Sequence, residues 1–108
     1  MNEDLLADWL PLDEQRRREA VLRHTLTAAA RTRSGLRPHA RALRESMSAV
    51  VHRVLTEARA AGGLAAGLDI DLETARLYAL LDGLSLRAVA GEPDSPRAVL
   101  RHHLDTLP

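Results

Sequence analysis

Glycine and proline fall into a few short stretches of this chain, and the intervals between them are long. Pro11 precedes an unbroken run from Glu14 to Arg33. Gly35 and Pro38 interrupt it, a second run continues to Ala61 before Gly62 and Gly63, and a third approaches Gly91. Such intervals outlast a typical strand of about 5–6 residues and suit helices. No segment of length shows the apolar–polar alternation of a half-buried strand, and there is no internal repeat or low-complexity tract. Leu and Ala supply most of the 45% hydrophobic fraction, with one Trp, one Tyr and no Phe. The core must therefore be aliphatic, and Leu, Ala, Arg and Glu all favour helix. The expectation is an all-α single domain over residues 1–108, with about five helices in an antiparallel bundle. A chain of this length can bury a core of its own.

Several function classes are disfavoured. Fifteen basic residues, every one an arginine, balance fifteen acidic ones, which argues against a strong nucleic-acid-binding surface. The "RRR" at 16–18 lies beside Asp13, Glu14 and Glu19, and Glu14–Arg18 and Glu19–Arg23 are favourable i,i+4 pairs on a solvated face. There is no cysteine, hence no disulfide, thiolate metal site or Cys nucleophile. No apolar run approaches the roughly 18 residues of a membrane span. "MNEDLLADWL" is acidic and lacks the basic start of a signal peptide, so a cytoplasmic location is expected. In "GLSLR" Arg87 stands where a nucleophile elbow needs its second glycine, and no strand precedes it. Ser85 is therefore read as incidental. No G-x-G-x-x-G, Walker loop or H-E-x-x-H occurs. No Glu is followed three positions later by His, and adjacent His102 and His103 diverge by about 100° on a helix. No enzyme activity, metal or cofactor is expected.

Local signals place the helices. A short one can start after Asn2 with Leu5, Leu6 and Trp9 on one side, ended by Pro11. Asp13 can cap a helix from Glu14 to about Arg33. Its Val21, Leu22, Thr25, Leu26, Ala28 and Ala29 share an apolar arc, opposite Arg16, Arg23, Thr27 and Arg31. Pro38 suits a first turn, and Ala40, Leu43, Met47, Val50, Val51, Val54, Ala58 and Ala61 then follow the spacing of one buried face. Asp69 or Asp71 can cap a helix to about Ala90. After the "GEPDSP" loop, Ser95 and Pro96 read as N-cap and N1 of a last helix to about Leu107.

The helix over 72–90 is apolar on two sides. Leu77, Leu81, Leu84 and Ala88 form one stripe, flanked by Thr74 and Tyr78. Leu72, Ala75, Ala79, Gly83 and Leu86 form another on the opposite side. A surface helix normally has one apolar side. The second implies either another chain or a central helix enclosed by its own chain. With few helices available, another chain is the simpler reading. Gly83 costs about 1 kcal/mol relative to Ala in a helix interior, which close helix packing can offset. In the last helix Pro96, Val99, Leu100, His103, Leu104 and Leu107 share one side. The expected dimer interface is thus Leu72, Ala75, Ala79, Gly83 and Leu86, with Val99, Leu100, His103, Leu104 and Leu107. His103 there is either a pH-sensitive group or simply a hydrogen-bonded histidine.

The order "LPLDEQRRREA", "EARAAGGL", an acidic connector, "LYALLDGLSLRAV" and "SPRAVLRHHLDTL" resembles the C-terminal regulatory domain of TetR-family transcriptional regulators across essentially all 108 residues. The resemblance implies an all-α fold that dimerises through its last two helices. It also implies a pocket for a small, mostly apolar effector that controls DNA binding. Residues 1–10 resemble the distal part of the linking helix, and the family's N-terminal helix-turn-helix domain is absent, so no DNA binding by this chain alone is expected. Inward positions offering shape or polarity are the candidate pocket: Trp9, Val21, Thr25, Met47, Val51, Tyr78 and Leu81. The alternative is a helical dimerisation module that needs no ligand.

Overall fold

Three side-chain caps set where the helices begin. The computed structural model describes residues 3–91 and 95–108. The expected Asn2 cap and residues 92–94 of the "GEPDSP" loop lie outside them. Helix α1 spans Glu3–Ala7 and α2 spans Glu14–Ala29. A 3₁₀ turn at Ser34–Leu36 leads into α3, Arg37–Ala60. Helix α4 spans Ile70–Val89 and α5 spans Pro96–Asp105. Asp13 Oδ1 accepts from the Arg16 N–H at 2.8 Å, Asp69 Oδ1 from Leu72 N–H at 3.2 Å, and Ser95 Oγ from Ala98 N–H at 3.3 Å. Each satisfies a donor that a helix start leaves unpaired. Asp69 rather than Asp71 caps α4. Gly62 and Gly91, both at φ 82°, adopt the left-handed conformation that ends α3 and α4.

The chain is an all-helical bundle in which α3 and α4 make the most extensive pairing. Its core is aliphatic, as the composition requires. Leu6 and Leu10 meet Val51 and Leu55 of α3, Leu77 and Leu81 of α4, and Leu100 of α5. Full burial of each such side chain contributes about 1.5–3 kcal/mol. Arg97 of α5 ties α1 to this core through Glu3, at 3.3 Å, and Asp4. The Ala65 N–H donates to the Pro108 carbonyl at 2.9 Å, docking the last residue on the α3–α4 connector.

Two helices differ from the sequence expectation. The apolar arc of α2 does not face the core: Leu22 is 70% exposed, and Val21 and Thr25 are exposed as well. The inward face carries Ala20, fully buried, with Arg23 and His24 half-buried beside it. The helix is turned so that polar groups reach α4, described below. In α5, Leu100 is not on an outer face. It is fully buried in the core of its own chain, with Leu104 and Leu107 packed against that core, while Val99 remains 37% exposed.

The molecule measures 42 × 31 × 18 Å. A helix with its side chains is about 10–12 Å across, so the thin dimension holds two layers. Its radius of gyration is 14.5 Å, against about 13 Å for a compact domain of this length.

Candidate functional site

Among the described residues, Ser85 is the least exposed polar one, at 0%. Its Oγ accepts from Arg23 Nη2 at 2.8 Å and lies 3.1 Å from His24 Nε2. Burial holds the His24 imidazole below its ordinary pKa, against the pull of Asp82. In the tautomer of the neutral ring protonated at Nδ1, Nε2 accepts from the Ser85 hydroxyl; in the other it donates to it. Arg23 Nη2 also donates to the Trp9 carbonyl at 3.3 Å. One guanidinium therefore joins the turn after α1 to α2 and α4. Further along, Arg17 donates to the Val89 carbonyl at 3.1 Å, at the C-terminal end of α4 where a cation is favoured.

Ser85, His24 and Asp82 bring together the residue types of a nucleophilic relay, but the geometry is that of a clamp. The His24 Nδ1–Asp82 distance is 3.9 Å, beyond hydrogen-bond length. Ser85 has no exposure, and its oxygen is held by Arg23. Ser85 does not line the four larger clefts formed by the described residues. The wheel position of Ser85, beside the core stripe, was the only sequence sign of this role. Arg23, expected on the solvent side of α2, was hidden by the reversed phase of that helix.

The candidate pocket residues divide. Trp9, Met47, Tyr78 and Leu81 come together with Arg23 and Asp82, but the void they enclose has no room for a water molecule. Burial pushes the Tyr78 phenol up, with the Asp82 carboxylate adding to the effect. Val51 is fully buried in the core. Val21 and Thr25 point outward with the apolar arc of α2. Open space lies instead along the seam between α2 and α3. A groove of about 390 Å³ is lined by Trp9, Glu19, Leu22, Arg23, Leu26, Leu43 and Met47. A smaller chamber of about 110 Å³ adjoins it, lined by Arg23, Thr27, Ala40, Leu43, Arg44, Tyr78 and Asp82.

The outer stripe of α4 is uncovered. Leu72 is 69% and Leu86 53% exposed, and Ala75, Ala79 and Gly83 between them are exposed. A Cβ added at Gly83 would meet nothing within 4 Å, so among the described residues no contact calls for glycine there. His103 of α5 is half-buried, and its Nε2 is buried without a hydrogen-bond partner. Burial, then Arg76, lowers its pKa, with Glu73 opposing and His102 reinforcing.

A two-layer helical bundle with a groove between long helices and an uncovered apolar helix face has the form of a helical regulatory domain. The chain belongs to the TetR family of transcriptional regulators, as a C-terminal domain: the family model described as BetI-type transcriptional repressor, C-terminal, matches residues 2–108. No curated protein and no solved structure matches it. Among the described residues, no helix is long and apolar enough to cross a membrane.

Proposed function

We propose that this chain is the effector-binding and homodimerisation domain of a cytoplasmic TetR-type regulator. Two copies meet through α4 and α5, and a small ligand with an apolar body lodges along the α2–α3 seam. The ligand favours one arrangement of helices over another, and the shift is passed to a DNA-reading domain of the full-length regulator. The observation that carries this reading is the outer face of α4. Its leucines stand in solvent, and its central glycine faces open space. Such a face suits close approach of a second helix, and a two-layer slab supplies no third layer to cover it.

Light scattering at micromolar concentration tests the pairing. The expected wild type is a dimer, and Gly83→Leu or Leu86→Glu yields monomer. Both positions are exposed, so neither change disturbs the protomer's core. A monomeric wild type refutes the assembly.

One observation favours a second reading, a dimerisation module that needs no ligand: the space among Trp9, Met47, Tyr78 and Leu81 is filled. Such a module would pair with an intact regulator and block it. Thermal-shift titration with small apolar ligands separates the two, because binding to the native state raises the melting temperature. Subunit exchange with a full-length homologue, without any ligand response, supports the module instead.

A further inference from the structure

Between Glu19 and Glu45 the chain has no acidic residue, while Arg23, Arg31, Arg33, Arg37, Arg41 and Arg44 all fall in that interval. In a chain of balanced charge this is a strong segregation, and the fold concentrates it. Arg31 in the turn after α2, and Arg37, Arg41 and Arg44 in the first turns of α3, line a cleft of about 320 Å³ with Thr27, Ala30 and Ala40. Among the described residues, no carboxylate lines it. Arg37 Nε donates to the Ala30 carbonyl at 3.2 Å. Among the described residues, the side chains of Arg31, Arg41 and Arg44 have neither an ion pair nor a hydrogen bond. Five carboxylates are committed elsewhere: Asp8 and Asp13 to Arg16, Glu73 to Arg76, Glu3 and Asp4 to Arg97. The first turn of α3 has no acidic residue, so Arg37 also sits at the helix end that disfavours cations. All four arginines are exposed and solvated, so the cleft presents four guanidinium groups to an incoming anion.

The cleft is one end of a longer trough. It shares Thr27, Ala40 and Arg44 with the small chamber, which shares Arg23 and Leu43 with the apolar groove at Trp9. Polarity is therefore graded along the α2–α3 seam. Leu22, Leu26, Leu43 and Met47 stand at one end and four guanidinium groups at the other. The carboxylates facing the trough, Glu19 and Asp82, lie in the groove and the chamber and not in the cleft. From Leu22 to Ala29, two residues short of Arg31, the helix rises roughly 10 Å, within reach of a medium-length alkyl chain.

The geometry points to an amphiphilic phosphate as the ligand of this seam, its apolar body against Trp9 and its multiply charged head among Arg31, Arg37, Arg41 and Arg44. Guanidinium groups bind phosphate oxygens in pairs of parallel hydrogen bonds, and a head with two or more negative charges answers a cluster of four. The assignment rests on the reading of the domain as ligand-responsive. A small amphiphile is favoured over a nucleic-acid backbone because the cleft is concave, continues into an apolar groove, and belongs to a chain of zero net charge.

Trp9 is the only tryptophan and lines the groove, so its fluorescence reports occupancy. The intact chain is titrated with dodecyl phosphate below its micelle concentration, and separately with dodecanol. Both titrations are repeated on an Arg41→Gln, Arg44→Gln double variant. Dodecyl phosphate is expected to bind at least roughly tenfold more tightly than dodecanol. The variant should lose that advantage while keeping its affinity for dodecanol and its melting temperature. If dodecanol binds and the phosphate adds nothing, or the variant keeps the advantage, the head-group assignment falls and the regulatory reading stands. If neither binds, both fall. Two further results overturn the proposal: binding of short duplex DNA that the variant abolishes, and co-sedimentation with phosphatidic acid vesicles when monomeric dodecyl phosphate leaves Trp9 unchanged.

Discussion

Replacing Ser85 with alanine separates two views of this domain sharply. On a helical wheel Ser85 is a small residue beside the core stripe. Alanine there should be neutral or slightly stabilising, by a few tenths of a kcal/mol from helix propensity. The structure predicts the opposite sign. The Oγ accepts from Arg23 at 2.8 Å and meets His24 at 3.1 Å, with no exposure to water. A hydrogen bond to a charged donor contributes about 1.5–3 kcal/mol, and one to a neutral ring about 0.5–1.5. Arg23 keeps its bond to the Trp9 carbonyl and is only half-buried, so part of the loss is recovered through solvent. A net destabilisation of about 2 kcal/mol follows, or about 8–16 °C in melting temperature. Urea unfolding followed by Trp9 fluorescence, at one fixed protein concentration, measures it. A double-mutant cycle with Arg23→Met should return a coupling of about 1 kcal/mol or more. A change within about 0.5 kcal/mol of zero, or a more stable variant, refutes the clamp.

Leu100→Ala should cost about 2–5 kcal/mol because its side chain is wholly enclosed. Val99→Ala, one position away and partly exposed, should cost under about 1 kcal/mol; equal costs contradict the orientation of α5. Acidification should destabilise the domain, because burial lowers the pKa of both His24 and His103 in the folded state. The unfolded chain takes up protons as pH falls below 6.5, the ordinary histidine value, while the folded imidazoles resist. Stability is therefore full above that pH and declines below it. Melting temperatures from about pH 7.5 to 5.5 should show this decline, and a His24→Asn, His103→Asn variant should flatten it. A level wild-type profile would contradict the burial of these rings.

The parts of the fold legible in sequence are those governed by local chemistry. Asp13 and Ser95 cap where a short acceptor precedes a helix, and Gly62 and Gly91 end helices where a positive φ is needed. The core stripe of α4 followed directly from the 3.6-residue period. Orientation of α2 was not legible, because its docking is polar. Apolar periodicity assumes that the greasiest arc faces inward. Here Arg23 and His24 reach Ser85, and Val21, Leu22 and Thr25 are carried to the outside. Val21 and Thr25 left the candidate pocket through that rotation. Leu100 shows a related ambiguity: a wheel puts it on one side with Val99, but α1 and α4 both pack on α5, and a modest turn decides which residue is enclosed. The basic cleft needs residues from two helices, and only the α2–α3 turn brings Arg31 to Arg37 and Arg41.

The clamp also sets an order of assembly. Arg23 and Ser85 are 62 positions apart, and Arg17 is 72 from Val89, whereas α3 and α4 are consecutive helices. Closing a long loop costs more entropy than closing a short one, so the α3–α4 hairpin should form early and α2 should lock onto it late. A contact absent from the transition state governs escape from the native state rather than arrival. Loss of the Ser85 hydroxyl should therefore accelerate unfolding and leave the folding rate nearly unchanged. By this reasoning the buried serine acts as a latch on the lifetime of the folded domain.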